Sequence, residues 1–498
     1  MRVKQLGWMI AATVLAGAAF ADGPKPMDEF HPTVSGGEVM RVSYHNPAIL
    51  KTVDWLKACE SEVVAVEFNL KPSAESEIHC RLLLPPRGKW NGRFWGVGNC
   101  GLGDNCGPMN KLMLPHVRSG AAACIADMGT ANGRHGREVI RDFGWRAAHL
   151  MTVEAKKMVA AYYGKPAAYN YFYGLSSGGG QGLHEAQRFP GDYDGIVCYM
   201  PAHYRTGGIH SLRHLNRMAH DADGKPVITA EQCRAVARAA IDWFAPNEPP
   251  YAAGKFITAL PVYSRTAAEG ILDLAAKKVP VLKDEDLRRR WIAIWEGCGK
   301  GNSVGTVFGA DISRMLERKN FMNGILCGKG AKESESMTDG EVEALVGEIA
   351  ADVDAGNPDL SKFAARGGKL MMVSGLADSI VSPRSALRYC EAVAERMGAD
   401  QLDGFFRAYF LPGRDHVRRA TWCDGLEDIP SVEALVDWCE MGVAPGALTG
   451  TLGDGTKVQV APWPLKVVGS SGHWATAPMG CSAREYNGKQ VNNEESNR

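Results

Sequence analysis

Ser176 stands at the centre of Gly174-Leu175-Ser176-Ser177-Gly178, a Gly-x-Ser-x-Gly pattern. A serine hydroxyl is a weak nucleophile. It needs a histidine to take its proton, an acid to orient that histidine, and donors for the oxyanion that forms. The pattern supplies the geometry when a strand precedes it and a helix follows. Its glycines then leave room for a strained turn that lifts the serine above a sheet. Here the strand-like YNYFY precedes and the helix-like QGLHEAQRF follows. Ser177 is the residue placed to offer its backbone N–H to the oxyanion. The competing reading is a phosphate-binding glycine loop, but no lysine follows as in a P-loop and no G-x-G-x-x-G is present here.

A nucleophile elbow predicts its partners in chain order, acid before histidine, each just after a later strand. Asp378 follows the apolar KLMMVSGLA, and His416 follows RAYFLPGRD. Read singly, these are a turn aspartate and a loop histidine. Their order, and their place at strand ends where open α/β sheets hold their sites, make Ser176, His416 and Asp378 the expected triad.

These side chains need a sheet to position them. GAAACIADMG reads as a short buried strand. GWRAAHLMTVEAKKMVAAYYG has apolar residues at helical spacing and stops at Gly164. AAYNYFYG is a strand, QGLHEAQRFP a helix ended by Pro190, and YDGIVCYMPA a strand again. Upstream, residues 22 to about 80 form an extension with some strand pattern. EIHCRLLLPPRGKWNGRFWGVGNCGLGD reads as two strands broken by Pro-Pro and Asn-Gly. The alternation implies a mostly parallel sheet covered on both faces. It lapses over 205–365, which is charged and helical and reads as an inserted domain. The sheet resumes at GGKLMMVSG, with a helix expected near 384–397 and a last strand at FFRAYFLPGRDH. The main domain is thus 22–204 with 366–498.

The 498 residues suit one large domain with an insertion. Lys plus Arg and Asp plus Glu number 56 each, so no basic excess points to nucleic acid or an anionic membrane. Arg2 and Lys4 precede an apolar run from Leu6 to Phe20 that ends in Ala19-Phe20-Ala21. This pattern predicts a signal peptide over 1–21 and an exported protein; the run is short for a membrane span. All 13 cysteines lie beyond it. Export permits disulfides, an odd count leaves at least one thiol unpaired within the chain, and spacing does not fix the pairing. No C-x-x-C pair suggests zinc. His210 and His214 are four apart, but zinc needs at least a third ligand, and a helix face is the better reading.

The motifs WNGRFWGVGNCG, GWRAAHLMTVEAKKMVAAYYG, YFYGLSSGGGQGLHEAQRFPGDYDGIV, PDLSKFAARGGKL, GLADSIVSP and FLPGRDH resemble the tannase and feruloyl esterase family, which includes mono(hydroxyethyl) terephthalate hydrolase. The resemblance runs over about 80–480. It implies an α/β-hydrolase fold with a lid inserted between the serine half and the Asp-His half. The family's triad falls on Ser176, Asp378 and His416, and its oxyanion donors on the backbone N–H groups of Ser177 and Gly101. Cys100 stands beside that site, as a thiol near substrate or simply a small buried residue.

The chain departs from the family twice. The cysteines that flank the nucleophile and the histidine, bridged in the family, are Leu175 and Val417 here. Losing such a bridge costs about 2–5 kcal/mol, and burying a Leu and a Val returns roughly 1.5–3 kcal/mol each. A Leu175–Val417 contact is therefore expected in place of the disulfide. The family's acidic calcium loop also has no counterpart. In AAIDWFAPNEPPYAAG, Asp242 and Glu248 cannot supply the six to eight oxygens calcium prefers, and DADG at 221–224 is too short. The expected function is an exported serine esterase acting on a small aromatic ester, with no cofactor and no metal. The rivals are a non-aromatic ester or peptide hydrolase on the same fold, and a catalytically weak binding protein.

Overall fold

The computed structural model describes residues 30–48, 54–101, 110–131, 134–244, 246, 255–261, 263–301, 308–316, 337–416, 418–420, 422–470 and 473–478. The expected signal segment, Glu248 and Val417 lie outside these residues. Nine strands form the main sheet: β1 (Gly37–His45), β2 (Val63–Leu70), β3 (Ile78–Leu84), β4 (Arg93–Val97), β5 (Ala122–Ala126), β6 (Tyr169–Leu175), β7 (Gly195–Tyr199), β8 (Lys369–Gly375) and β9 (Phe406–Leu411). Their spatial order is β1-β2-β3-β5-β4-β6-β7-β8-β9. β1 to β3 pair antiparallel, and β3 pairs antiparallel with β5. From β5 across to β9 every pair is parallel. β3 and β4, consecutive in sequence, are not partners. β4 lies between β5 and β6, so the Pro-Pro and Asn-Gly segment is a crossing and not a hairpin.

The central strands are buried on both faces, and their side chains alternate between two cores. Along β8, Leu370 and Met372 join one core, Met371 and Val373 the other; β7 divides Ile196 and Cys198 from Val197 and Tyr199. Helix α1 (Ala147–Tyr163) seals the first core with Met151, Ala155 and Met158. It ends at Gly164, whose φ of 73° is the left-handed cap a glycine takes without strain. Helix α2 (Ser177–Arg188) leaves the end of β6 directly.

Between β7 and β8 the chain builds helices α3 (Arg205–Ala219), α4 (Ala230–Phe244), α5 (Arg265–Ala276), α6 (Glu285–Gly301) and α7 (Asp339–Val353). Leu215, Val236, Ile271, Leu272, Trp291 and Ile294 from the first four of these share a separate apolar core. Ile380, two residues beyond Asp378, packs against that core. α7 packs through Val342, Ile349 and Val353 onto Met128, Phe143 and Ile209. Helix α8 (Pro383–Met397) follows β8, and α9 (Ser431–Met441) packs Leu435 on the second sheet core.

Candidate active site

From β4 the chain leaves toward β5 on one side, and from β6 toward β7 on the other. Such a reversal opens a crevice at the carboxyl ends of the two strands, and the Ser176 turn forms there. Ser176 has φ 58° and ψ −114°, a region non-glycine residues rarely occupy. The turn is fixed by its neighbours: Ser176 N–H donates to Tyr199 O at 2.9 Å, and Ser176 O accepts from the N–H groups of Gly180 at 3.1 Å and Ala202 at 2.9 Å. The glycines are required by close approach. A Cβ on Gly174 would run into the Gly178 carbonyl, and one on Gly178 would lie 2.7 Å from the carbonyl carbon of Gly98.

The three predicted side chains meet. His416 Nε2 is 2.9 Å from Ser176 Oγ, and His416 Nδ1 is 2.8 Å from Asp378 Oδ2. A carboxylate only accepts, so Nδ1 carries the hydrogen and Nε2 is left to accept from the serine hydroxyl. Asp378 Oδ1 accepts from the N–H groups of Ile380 and Val381, both at 2.8 Å. These bonds hold the carboxylate in a turn at the end of β8. Exposures of 9% for Ser176, 1% for Asp378 and 5% for His416 put the row of hydrogen bonds out of bulk water, where each bond is stronger.

Gly101 and Ser177 are also adjacent: Ser177 Oγ donates to Gly101 O at 2.6 Å. Gly101 has φ 63°. Asn99 holds the loop after β4 in place, donating from Nδ2 to Ala126 O and accepting from Cys100 N–H, each at 2.8 Å. As the first residue of α2, Ser177 has an N–H with no acceptor inside the helix. Cys100 Sγ donates to Leu175 O at 3.3 Å, and burial pushes its thiol up to about 12. Leu175 is partly buried against the second sheet core; its expected partner Val417 is outside the described residues.

Two contributors were not read from the sequence. Arg205, the first residue of α3, is buried, with NH1 3.3 Å from Ser177 Oγ and NH2 donating to Ser177 O at 3.2 Å. Its guanidinium lies 4.2 Å from the centre of the Phe143 ring. Burial lowers its pKa to about 10, so it is a cation at neutral pH. Asp415, fully buried, binds Ser379 through one oxygen and Arg314 through the other. Asp415 is visible beside His416 in the sequence, but only the fold shows its partners. Other candidates disperse. His214 Nε2 is 2.8 Å from Ala293 O, whereas His210 faces Glu343; Asp242 pairs with Arg238. Cys59, Cys100, Cys198, Cys233, Cys390, Cys423 and Cys439 are free thiols.

The arrangement can carry out attack by Ser176 with proton transfer through His416, chemistry that suits acyl transfer. Comparison with known proteins agrees with ester chemistry. The family profile described as "Tannase and feruloyl esterase" matches residues 61–243 and 319–479. A probable feruloyl esterase of Arthroderma benhamiae is 27% identical over 415 residues, 74% of this chain and 75% of the relative. Feruloyl esterase B of Aspergillus niger is 25% identical over 431 residues, 78% of this chain and 79% of the relative. Two solved structures share the fold. Feruloyl esterase B from Aspergillus oryzae has a TM-score of 0.68 at 21% identity, covering 89% of this chain and 97% of that one. Tannin acyl hydrolase from Aspergillus niger has a TM-score of 0.65 at 16% identity, covering 92% and 94%. With its mixed sheet, elbow and family match, this chain belongs to the tannase and feruloyl esterase family and is a carboxylic ester hydrolase on an α/β-hydrolase fold.

Proposed function

We propose that the chain hydrolyses esters of aromatic acids, of the feruloyl, galloyl or terephthalate monoester type, through an acyl-enzyme on Ser176. The observation that carries this reading is the unbroken row of hydrogen bonds from Asp378 through His416 to Ser176. His416 takes the serine proton as Oγ attacks the ester carbonyl. Asp378 holds the imidazole in the tautomer with Nδ1 protonated and stabilises the cation that forms. The N–H groups of Ser177 and Gly101 receive the oxyanion. His416 then protonates the leaving alcohol, activates a water, and the acid is released. No step draws on a cofactor.

The names of the relatives support an aromatic acyl group. The helical insertion acts as a lid over the crevice; its core reaches Ile380 beside Asp378, which supports that placement. The chain is exported after cleavage near Ala21. Among the described residues no helix is long and apolar enough to cross a membrane.

The test is hydrolysis of a gallate, a ferulate, a terephthalate monoester and a short p-nitrophenyl ester by the mature protein. Ser176→Ala serves as control. Turnover of an aromatic ester, with labelling by a serine-directed phosphonate that the substitution abolishes, is the expected result. Turnover of the p-nitrophenyl ester alone would displace the aromatic reading. Folded protein inert toward both esters and phosphonate would overturn the esterase mechanism. A Leu175→Cys/Val417→Cys variant tests whether the site assembles without the family's bridge: the native protein is expected to be active on its own.

A further inference from the structure

Glu185 lies on α2, nine residues past Ser176, which at 1.5 Å per residue is roughly 13 Å along the helix from the crevice. It is 1% exposed, and neither of its carboxylate oxygens has a hydrogen-bond partner. A buried carboxyl in that condition is costly, so its surroundings need an account. Asp192, in the turn before β7, is the neighbouring carboxylate. Burial, and then that second carboxylate, push the Glu185 carboxyl well above its usual range. His149 of α1 closes the triangle. One ligand atom from each of His149, Glu185 and Asp192 lies within 4.8 Å of the other two, the one such group of three among the described residues.

The triangle is partly organised already. His149 Nδ1 is 2.7 Å from Asp192 Oδ2. The imidazole stacks on Phe189 with centroids 3.6 Å apart and planes 7° from parallel, which holds its orientation. The His149 and Asp192 side chains are 23% and 17% exposed, so solvent reaches this side while Glu185 forms the floor.

We infer that His149, Glu185 and Asp192 form a binding site for a divalent transition-metal cation, with Zn²⁺ the best match. One imidazole nitrogen and two carboxylate oxygens are zinc ligands by type, and three protein ligands leave a fourth position for water. Ligand atoms about 2.0–2.1 Å from a tetrahedral zinc are roughly 3.3 Å apart, which small side-chain rotations reach from the separations here. Magnesium and calcium favour sites built wholly of oxygen. Lys156 is the opposing charge. Its Nζ donates to the Asp192 backbone carbonyl and faces Glu185. It also leaves the Glu185 oxygens without a hydrogen bond. No sequence motif announces the site: the three residues are 36 and 7 positions apart and meet only because α1, α2 and the β7 approach pack together. The ion would brace the far end of the elbow helix without touching Ser176.

The test is isothermal titration of chelator-treated, purified protein with ZnCl₂, alongside MgCl₂ and CaCl₂, with melting temperatures recorded in each. The expected result is one equivalent of Zn²⁺ bound at micromolar affinity or tighter, and a rise in melting temperature. Glu185→Gln should weaken binding at least tenfold and remove the rise. Asp192→Asn, at a partly exposed position, gives the same reading should Glu185→Gln fail to fold. Absence of zinc binding would overturn the inference. So would binding that survives these substitutions, which would belong to thiols elsewhere. Ester hydrolysis is not the readout, so this result stands apart from the proposed reaction.

Discussion

Asp415 accepts two hydrogen bonds from Ser379, from its N–H at 3.0 Å and its hydroxyl at 2.8 Å. Ser379 follows Asp378 and Asp415 precedes His416, so this contact joins the two loops that carry Asp378 and His416. The second Asp415 oxygen is 3.1 Å from Arg314 NH1, which brings the helical insertion into the same brace. Asp415→Asn keeps the acceptor for Ser379 but turns an amide NH₂ toward Arg314. Disrupting a buried, charged hydrogen bond of this kind costs about 1–3 kcal/mol. The melting temperature should fall and kcat should drop about tenfold, with KM less affected. Ser379→Ala, which leaves the backbone donor, should cost less in both. Equal losses from the two substitutions would mean that the brace is not what aligns the loops.

Arg205 occupies the corresponding position behind Ser177 and Gly101, the proposed oxyanion donors. It holds both the hydroxyl and the carbonyl of Ser177, and the Ser177 hydroxyl holds the Gly101 carbonyl. As a positioning residue it should affect the transition state more than substrate binding. Arg205→Met is expected to lower kcat at least tenfold with KM within about threefold, and Arg205→Lys should recover part of the loss. A change confined to KM, or confined to the melting temperature, would remove Arg205 from the catalytic account.

The parts that were legible in the sequence are those with local signatures. Gly174, Ser176 and Gly178 could be read because a strained turn demands those residue types, and Asp378 and His416 because each ends an apolar strand. Arg205 and Asp415 were not legible. Arg205 reaches Ser177 across 28 positions, and Asp415 reaches Arg314 across 101; either residue looks like an ordinary surface charge until the chain closes. The pairing of β4 was hidden for the same reason. Parallel partners are set by packing of distant segments, and a short run such as Arg93–Val97 carries nothing that names its neighbours.

Asp127 predicts a pH dependence of stability. It follows β5, is fully buried, and accepts from the N–H groups of His79 at 3.0 Å and Gly129 at 2.9 Å through Oδ1, while Oδ2 has no partner. Burial, against the pull of those two bonds, pushes its pKa up to about 7, whereas an unfolded aspartate titrates near about 3.9. Between these values the folded chain keeps a proton that the unfolded chain has lost, so this group's contribution declines as pH rises from about 4 to about 7 and is constant above. Asp127→Asn keeps an acceptor for both N–H groups and removes the titration. It should melt higher than the native chain at pH 8. The upper bound is about 4 kcal/mol, three pK units at about 1.4 kcal/mol each. The difference should shrink steadily toward pH 4. A gap that does not vary with pH would assign the effect to packing.

Cys100 decides between a reactive thiol beside the crevice and a small buried residue. With its pKa pushed up to about 12 by burial, only about one molecule in 10⁴ carries the thiolate at pH 8, and the thiolate is the reactive form. Its Sγ–H also donates to Leu175 O next to Ser176, an arrangement that ionisation would break. Iodoacetamide at pH 8 should therefore leave Cys100 unmodified in the folded protein, as read by peptide mass spectrometry, and should label it in guanidinium. Cys100→Ser can keep the hydrogen bond and should retain ester hydrolysis within about threefold. Rapid alkylation of folded protein with loss of activity would mean that the thiol is open to substrate, and that the loop after β4 moves away from Leu175 in solution.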